Sequence, residues 1–295
     1  MAQYQHILVA TDFSDQAGRA VDAAKELAKH FDARVCLLHV VDPARYARDL
    51  LPGTYSEVEK RLADASRERL VELAKEALEG VTVDVIAVTG DAVAAAIAEQ
   101  ATASQVDLCI VGTHGRTGLD RMLIGSVAEA VVRLAPCDVL TVPSVRRDPP
   151  IPRRIVASTD FSEQAERALA TAGELTRSFG SELTLLHVHD PRVPVVPMGV
   201  PAVDEPQLRK WAREQLDRLA AQHETADAHV RSELLVDPSA PDAICRHAEE
   251  HAAELIIIGT HGRRGLTRLL IGSVAERVVR HAHCPVLVVR SPKEA

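Results

Sequence analysis

This chain is written twice. GTHGRTGLDRMLIGS at Gly112–Ser126 returns as GTHGRRGLTRLLIGS at Gly259–Ser273, with twelve of fifteen positions identical. Upstream, HILVATDFSDQAGRAVDAAKELAKHF (His6–Phe31) aligns with RIVASTDFSEQAERALATAGELTRSF (Arg154–Phe179) at an offset of 148. CLLHVVDP at Cys36 matches TLLHVHDP at Thr184, and CDVLTV at Cys137 matches CPVLVV at Cys284. A period this long is the size of a whole domain rather than of a solenoid unit. The 295 residues therefore read as two similar domains, 1–146 and 152–295, with the proline-bearing stretch SVRRDPPIPR at Ser144–Arg153 between them.

Within each half, strand-like and helix-like runs alternate. HILVA opens the first half as an apolar run. Ser14 is placed to cap a helix whose apolar residues, Ala17, Ala20, Val21, Ala24, Leu27 and Phe31, recur at spacings of three and four. RVCLLHVV, VTVDVIAV, DLCIVGT and DVLTV read as further strands, separated by helices near Ser56–Glu79, Asp91–Ala103 and Ser126–Leu134. Several of these strands are apolar without alternation, as in a parallel sheet covered by helices on both faces. The pattern predicts two tandem doubly wound, Rossmann-like α/β domains, each with a five-stranded parallel sheet. Right-handed crossovers bring the segments that follow the strands to one edge.

Each glycine string has the form G-x2-G-x9-G-S: Gly112, Gly115, Gly125 and Ser126 in one copy, Gly259, Gly262, Gly272 and Ser273 in the other. Gly112 closes the apolar run LCIV and Gly125 precedes a helix, so the string joins the end of a strand to the start of a helix. Glycines admit positive φ and close backbone approach, successive amides form anion nests, and a helix start adds unpaired donors with a partial positive charge. Phosphate is the guest that such a cradle predicts. A local explanation competes: SVAE at Ser126 and Ser273 forms a capping box with Glu129 and Glu276, and turn glycines need no ligand. Turns and caps tolerate many alternatives, so retention of twelve positions favours the cradle, with the capping expected to hold as well.

On these residues the chain resembles the universal stress protein family in its tandem, ATP-binding form, along almost its whole length. Nucleotide-binding members are similar in carrying this glycine pattern after the fourth strand and an Asp just after the first. They also end the second strand on a pair such as His39-Val40 or His187-Val188. The resemblance implies strand order 3-2-1-4-5, with Asp12 facing Gly112 across the crevice where open α/β sheets bind ligands. It implies ATP with Mg2+ as ligand. Ala10 and Asp12 would lie beside the adenosine and the backbone of Val40 at the adenine edge. Val111, Gly112, Gly115, Arg116, Gly125 and Ser126 would surround ribose and phosphates. Ser158, Asp160, Val188, Ile258, Gly259, Gly262, Arg263, Gly272 and Ser273 would take those places in the second domain. A carboxylate accepts ribose hydroxyls well, although Asp12 beside Ser14 also suits a helix start. The resemblance further implies that DVLTV and PVLVV pair between the halves to make a pseudo-dimer, and a homodimer beyond it is compatible with that. The expected role is a cytoplasmic stress-response factor that acts through nucleotide-dependent conformation or choice of partner.

Neither a P-loop GxxxxGK[ST] nor a GxGxxG fingerprint is present. Lysine is absent from Glu76 through Arg209, whereas P-loop enzymes and kinases set one on the phosphates. Asp120, the acid inside the first string, is Thr267 in the second. Binding rather than turnover is therefore expected. A slow ATPase or nucleotidyl-transfer enzyme on the same fold is one alternative, and a nucleotide-free interaction protein is another. A net charge of −8 and 3% aromatic residues argue against nucleic acid, and no apolar run approaches the ~18 residues of a membrane span. Five cysteines without CxxC spacing, and a start with no basic leader, read as a reduced cytoplasmic protein. CRHAEEH puts His247 and His251 one helical turn apart, but Ala248 stands where HExxH needs its Glu, and the first half has Gln100 and Ser104 there. No metal site is expected. The halves diverge most after their second strands, where the second carries prolines at 191, 194, 197, 201 and 206, a stretch that could cover a ligand or meet a partner.

Overall fold

The computed structural model describes residues 4–42, 55–113, 125–143, 151–192, 205–225, 229–260 and 271–290. The chain divides into two compact units, Met1–Ile151 and Pro152–Ala295. The first unit runs β1 (His6–Ala10), α1 (Asp15–Phe31), β2 (Arg34–Val41), α2 (Tyr55–Ala77), β3 (Val83–Thr89), α3 (Val93–Ala103), β4 (Leu108–Gly112), α4 (Ser126–Leu134) and β5 (Asp138–Val142). Its strands lie side by side as β3-β2-β1-β4-β5, all parallel. The second unit runs β6 (Arg154–Ser158), α5 (Glu163–Phe179), β7 (Glu182–His189), α6 (Glu205–His223), β8 (His229–Val236), α7 (Ala240–Glu250), β9 (Leu255–Gly259), α8 (Ser273–His281) and β10 (Val286–Val289). It has the same parallel arrangement, β8-β7-β6-β9-β10.

The apolar strands are buried on both faces, which is why they do not alternate. Ile7, Leu8, Val9, Leu37, Leu38 and Ile110 are fully enclosed. At about 1.5–3 kcal/mol for each large side chain removed from water, they supply much of the drive that closes the sheet. Helix α1 shows how local chemistry meets that core. The Ser14 hydroxyl accepts from the Ala17 amide at 3.2 Å, starting the helix. Its buried face is the predicted set Ala17, Ala20, Val21, Ala24, Leu27 and Phe31, with Ala28 added. The helix ends on Asp32 in the left-handed region, φ 54°, whose amide returns to the Ala28 carbonyl. The second unit puts Gly180 at the same place with φ 66°, the residue that this conformation favours.

The topology also sets where a ligand can go. The chain winds from β1 to β2 and β3 on one side, then crosses to β4 and β5 on the other. The crossovers therefore leave in opposite directions from β1 and β4, and their carboxyl ends border an open crevice. No helix among the described residues is long and apolar enough to cross a membrane.

Candidate functional site

A cleft of about 250 Å³ opens at that switch point in the first unit. The ends of β1, β2 and β4 and the start of α4 wall it. Of the residues expected there, Ala10, Asp12, Val40, Val111, Gly112, Gly125 and Ser126 all line it. Gly115 and Arg116 lie outside the described residues, as do Gly262 and Arg263 in the second unit. So does most of the proline-bearing segment after β7, from residue 193 to 204.

The repeated TDFS makes two consecutive turns closed by side chains. Thr11 Oγ1 accepts from the Phe13 amide at 3.0 Å. Asp12 Oδ1 accepts from the Ser14 amide at 3.0 Å and from the Ser14 hydroxyl at 2.5 Å. Between them Phe13 sits at φ 63°, and Phe161 repeats this at 62°. A bulky residue in the left-handed region costs on the order of 1–3 kcal/mol, a strain that recurs at ligand sites. Each phenyl ring leans on a histidine two residues before the end of the second strand: Phe13 on His39 at 4.6 Å, Phe161 on His187 at 4.4 Å. Those histidines bridge back to the Thr11 and Thr159 carbonyls, each at 2.7 Å. Asp12 serves the start of α1 and also lines the cleft. One carboxylate oxygen holds the residue that caps α1, while the group as a whole faces the cleft.

Val40 is placed by register. The pairing of β1 with β2 ends at Ala10 with Leu38, and the Thr11 amide donates to the Leu38 carbonyl at 2.9 Å. In a parallel strand, alternate residues turn both backbone groups to the same side. Val40, two residues past Leu38, therefore points its amide and carbonyl toward the side where β1 has already stopped. Val41 faces the other way and takes the Gly90 amide at 3.0 Å. The result is a donor–acceptor edge turned toward the cleft inside an otherwise apolar wall, suited to a flat heterocycle. Val188 has the same geometry, because the β6–β7 pairing ends at Ser158 with Leu186.

The start of α4 corrects one expectation. Gly125, not Ser126, is the N-cap, and Ser126 is the first helical residue. The second unit repeats this with Gly272 and Ser273. A serine one position inside the helix cannot make the expected capping box, so that explanation of the Gly-Ser pair fails. The Gly125 amide is also engaged, donating to the Thr113 carbonyl at 2.5 Å, as Gly272 does to Thr260 at 2.7 Å. The first intrahelical bond runs from Glu129 to Gly125 at 3.2 Å. The amides of Ser126, Val127 and Ala128 are left without an intrahelical acceptor, and all three residues line the cleft. Gly125 itself has φ −64°, an angle open to any residue, so its backbone conformation does not ask for glycine. Gly259 differs: a Cβ there would come within 3.1 Å of the Gln164 carbonyl oxygen in α5. Packing of strand on helix explains that glycine without any ligand.

The two sites have different surroundings. In the first, the Arg69 guanidinium of α2 lies 4.2 Å from the Phe13 ring centroid. In the second, Trp211 of α6 meets the Phe161 ring edge-on at 5.3 Å. Arg192 grips Asp190, pulling that carboxyl down to about 2, and also donates to the Pro238 carbonyl at 2.9 Å. Sequence reasoning missed the phenylalanines; the repeat of TDFS marked the segment, but nothing in it foretold a left-handed Phe. The cysteines offer no nucleophile at neutral pH where a shift is resolved: burial pushes Cys36 up to about 12 and Cys245 to about 11.

Comparison with known proteins agrees with this architecture. The model of the "Universal stress protein family" matches the chain twice, over residues 3–143 and 152–290. A universal stress protein of Methanocaldococcus jannaschii is 35% identical over 144 residues, covering 48% of this chain and 84% of the relative. One from Mycolicibacterium smegmatis is 28% identical over 294 residues, 96% of each. Among solved structures, a universal stress protein from Archaeoglobus fulgidus superposes with a TM-score of 0.71 at 21% identity, covering 98% of this chain and 99% of its own. That likeness speaks to fold.

Proposed function

This chain belongs to the universal stress protein family, and from that premise we propose that it binds ATP in the cleft of its first domain and in the equivalent place of its second. The observation that carries the proposal is the juxtaposition of three features in one cleft: the backbone edge of Val40 beyond the end of β1, the Asp12 carboxylate, and the amides that open α4 without an intrahelical acceptor. Adenine takes the first, ribose hydroxyls the second and phosphates the third. Ligand pockets commonly run from about 300 to 1,000 Å³. The 250 Å³ cleft lies just below that range, about the size of a nucleoside, with the phosphates extending to the start of α4. Mg2+ keeps most of its water and binds largely through substrate phosphates, so it would travel with the triphosphate. The proposed output is a nucleotide-dependent change in conformation or choice of partner.

Protein purified without added nucleotide is denatured, and the supernatant is chromatographed. Intact ATP released in stoichiometric amount supports the binder. ADP together with steady phosphate release from added ATP would replace it with a hydrolase. An empty cleft that takes up no adenine nucleotide in calorimetry would leave an interaction protein whose Gly-Ser repeat needs another cause.

A further inference from the structure

We propose that Glu233, His247 and His251 form a binding site for a divalent transition-metal ion of the zinc class, separate from the nucleotide cleft. Glu233 lies on β8, while His247 and His251 lie on the last turn and the C-cap of α7. In a parallel α/β unit each helix runs back from the carboxyl edge of the sheet. The end of α7 is therefore at the opposite edge from the cleft.

Each of the three residues presents one donor atom, and all three atoms lie within 4.8 Å of one another. The imidazoles stack at 4.1 Å. His251 Nδ1 is 2.9 Å from the His247 carbonyl oxygen, a bond in which the ring must donate. That fixes the tautomer and leaves the lone pair on Nε2, the second-shell arrangement usual for metal-bound histidine. His247 is 3% exposed, its Nδ1 stands 3.5 Å from Glu233 Oε2, and its buried Nε2 has no hydrogen-bond partner among the described residues. A buried nitrogen without a partner is costly, and an ion bound at Nε2 would remove that cost. Bonds of about 2.0–2.2 Å in a tetrahedron set donors on the order of 3.4 Å apart. A change of rotamer at the half-exposed Glu233, with the His251 ring tilting about its bond to the His247 carbonyl, closes the remaining gap, with water as fourth ligand.

The internal repeat supplies an independent argument. Glu233 pairs in register with Leu186 of β7, and Ile86 pairs with Leu38 of β2 at the corresponding place. The same 147-residue offset relates His247 to Gln100 and His251 to Ser104. In the first domain Gln100 simply donates to Ser104 at 2.8 Å. The halves differ at all three positions, on two different elements, and only the second half carries ligand-type residues at each, which packing alone does not require. Imidazole pairs with one carboxylate suit Zn2+ rather than Mg2+ or Ca2+.

Untagged full-length protein, stripped with EDTA, is titrated with Zn2+ by calorimetry and with Co2+ by visible absorption. The expected result is one strong site per chain, intense tetrahedral Co2+ bands and a higher unfolding temperature with Zn2+. Glu233→Ile, His247→Gln and His251→Ser, each borrowing the residue of the first domain, are expected to weaken Zn2+ at least tenfold. His251 is exposed, so its variant keeps the fold and tests the site even if His247→Gln does not. No strong site in the parent protein, or Zn2+ affinity indifferent to His251→Ser, overturns the proposal.

Discussion

Replacing Asp12 with Asn isolates the one feature of the cleft that distinguishes recognition from scaffolding. The carboxylate does two things at once. Its Oδ1 accepts from the Ser14 amide at 3.0 Å and from the Ser14 hydroxyl at 2.5 Å, and in the proposed complex it accepts ribose hydroxyls. Alanine would remove both roles, and a loss of affinity could then come from a disturbed α1. Asparagine keeps an Oδ1 acceptor for Ser14 and removes only the charge. A hydrogen bond to a charged group contributes about 1.5–3 kcal/mol against about 0.5–1.5 for a neutral one. The expected loss of ATP affinity is therefore about 1–1.5 kcal/mol, or roughly 5–12-fold. Changing Asp160 in the same protein makes both clefts shift alike. The assay is calorimetry with ATP and with 2′,3′-dideoxy-ATP on parent and variant. Removing the hydroxyls should cost the parent about 1 kcal/mol more than the variant, a coupling energy that only direct contact produces. Equal dideoxy penalties in the two proteins, with unfolding midpoints unchanged, would refute the ribose assignment.

Gly125→Val should lower ATP affinity in the first domain at least tenfold while costing stability only about 1 kcal/mol, because valine is a poor cap but accepts this backbone angle; unchanged affinity in calorimetry would show that nothing approaches α4 closely. Trp211 is the single tryptophan and touches the Phe161 ring, so its fluorescence should saturate with nucleotide if the second cleft fills, and that signal should weaken in Asp160→Asn but not in Asp12→Asn. Gly180→Ala should cost about 1 kcal/mol in urea unfolding, since φ is 66° there. Burial, with Arg177 adding to it, holds His223 below its ordinary 6.5. The unfolded chain then binds the proton more readily, so stability present above about pH 6.5 should fall as pH drops through the range below it; His223→Gln should flatten that slope in pH-dependent denaturation.

How much of this was legible before the structure varied with the kind of signal. Strands β2 and β5 and helix α4 begin and end where hydrophobic runs and punctuation put them, and six of the seven buried residues of α1 follow from spacing alone. The glycine string was read correctly as a strand-to-helix bridge, yet its cap was misplaced by one residue. Ser126 and Glu129 have capping-box spacing whether the helix starts at Ser126 or just before it, and spacing cannot tell the two apart. The sequence pointed away from a metal because Ala248 stands where HExxH needs its Glu, and Glu233, the acid near the two histidines, lies fourteen residues upstream of His247 on a different element. The halves did differ there, but no motif connects a strand residue to a helix end.

From the letters alone came what depends on period and repetition: two domains, alternating elements, a parallel sheet with covered faces, and the two segments, TDFS and the Gly-Ser string, that converge on one crevice. Only the folded chain decided which atoms face that crevice. The open edge of Val40 exists because β1 stops three residues before β2 does, Phe13 sits left-handed between two side-chain hydrogen bonds, and Glu233 meets two histidines through register. Such outcomes depend on where a neighbouring strand ends and what lies opposite, relations between distant positions that a linear pattern does not carry.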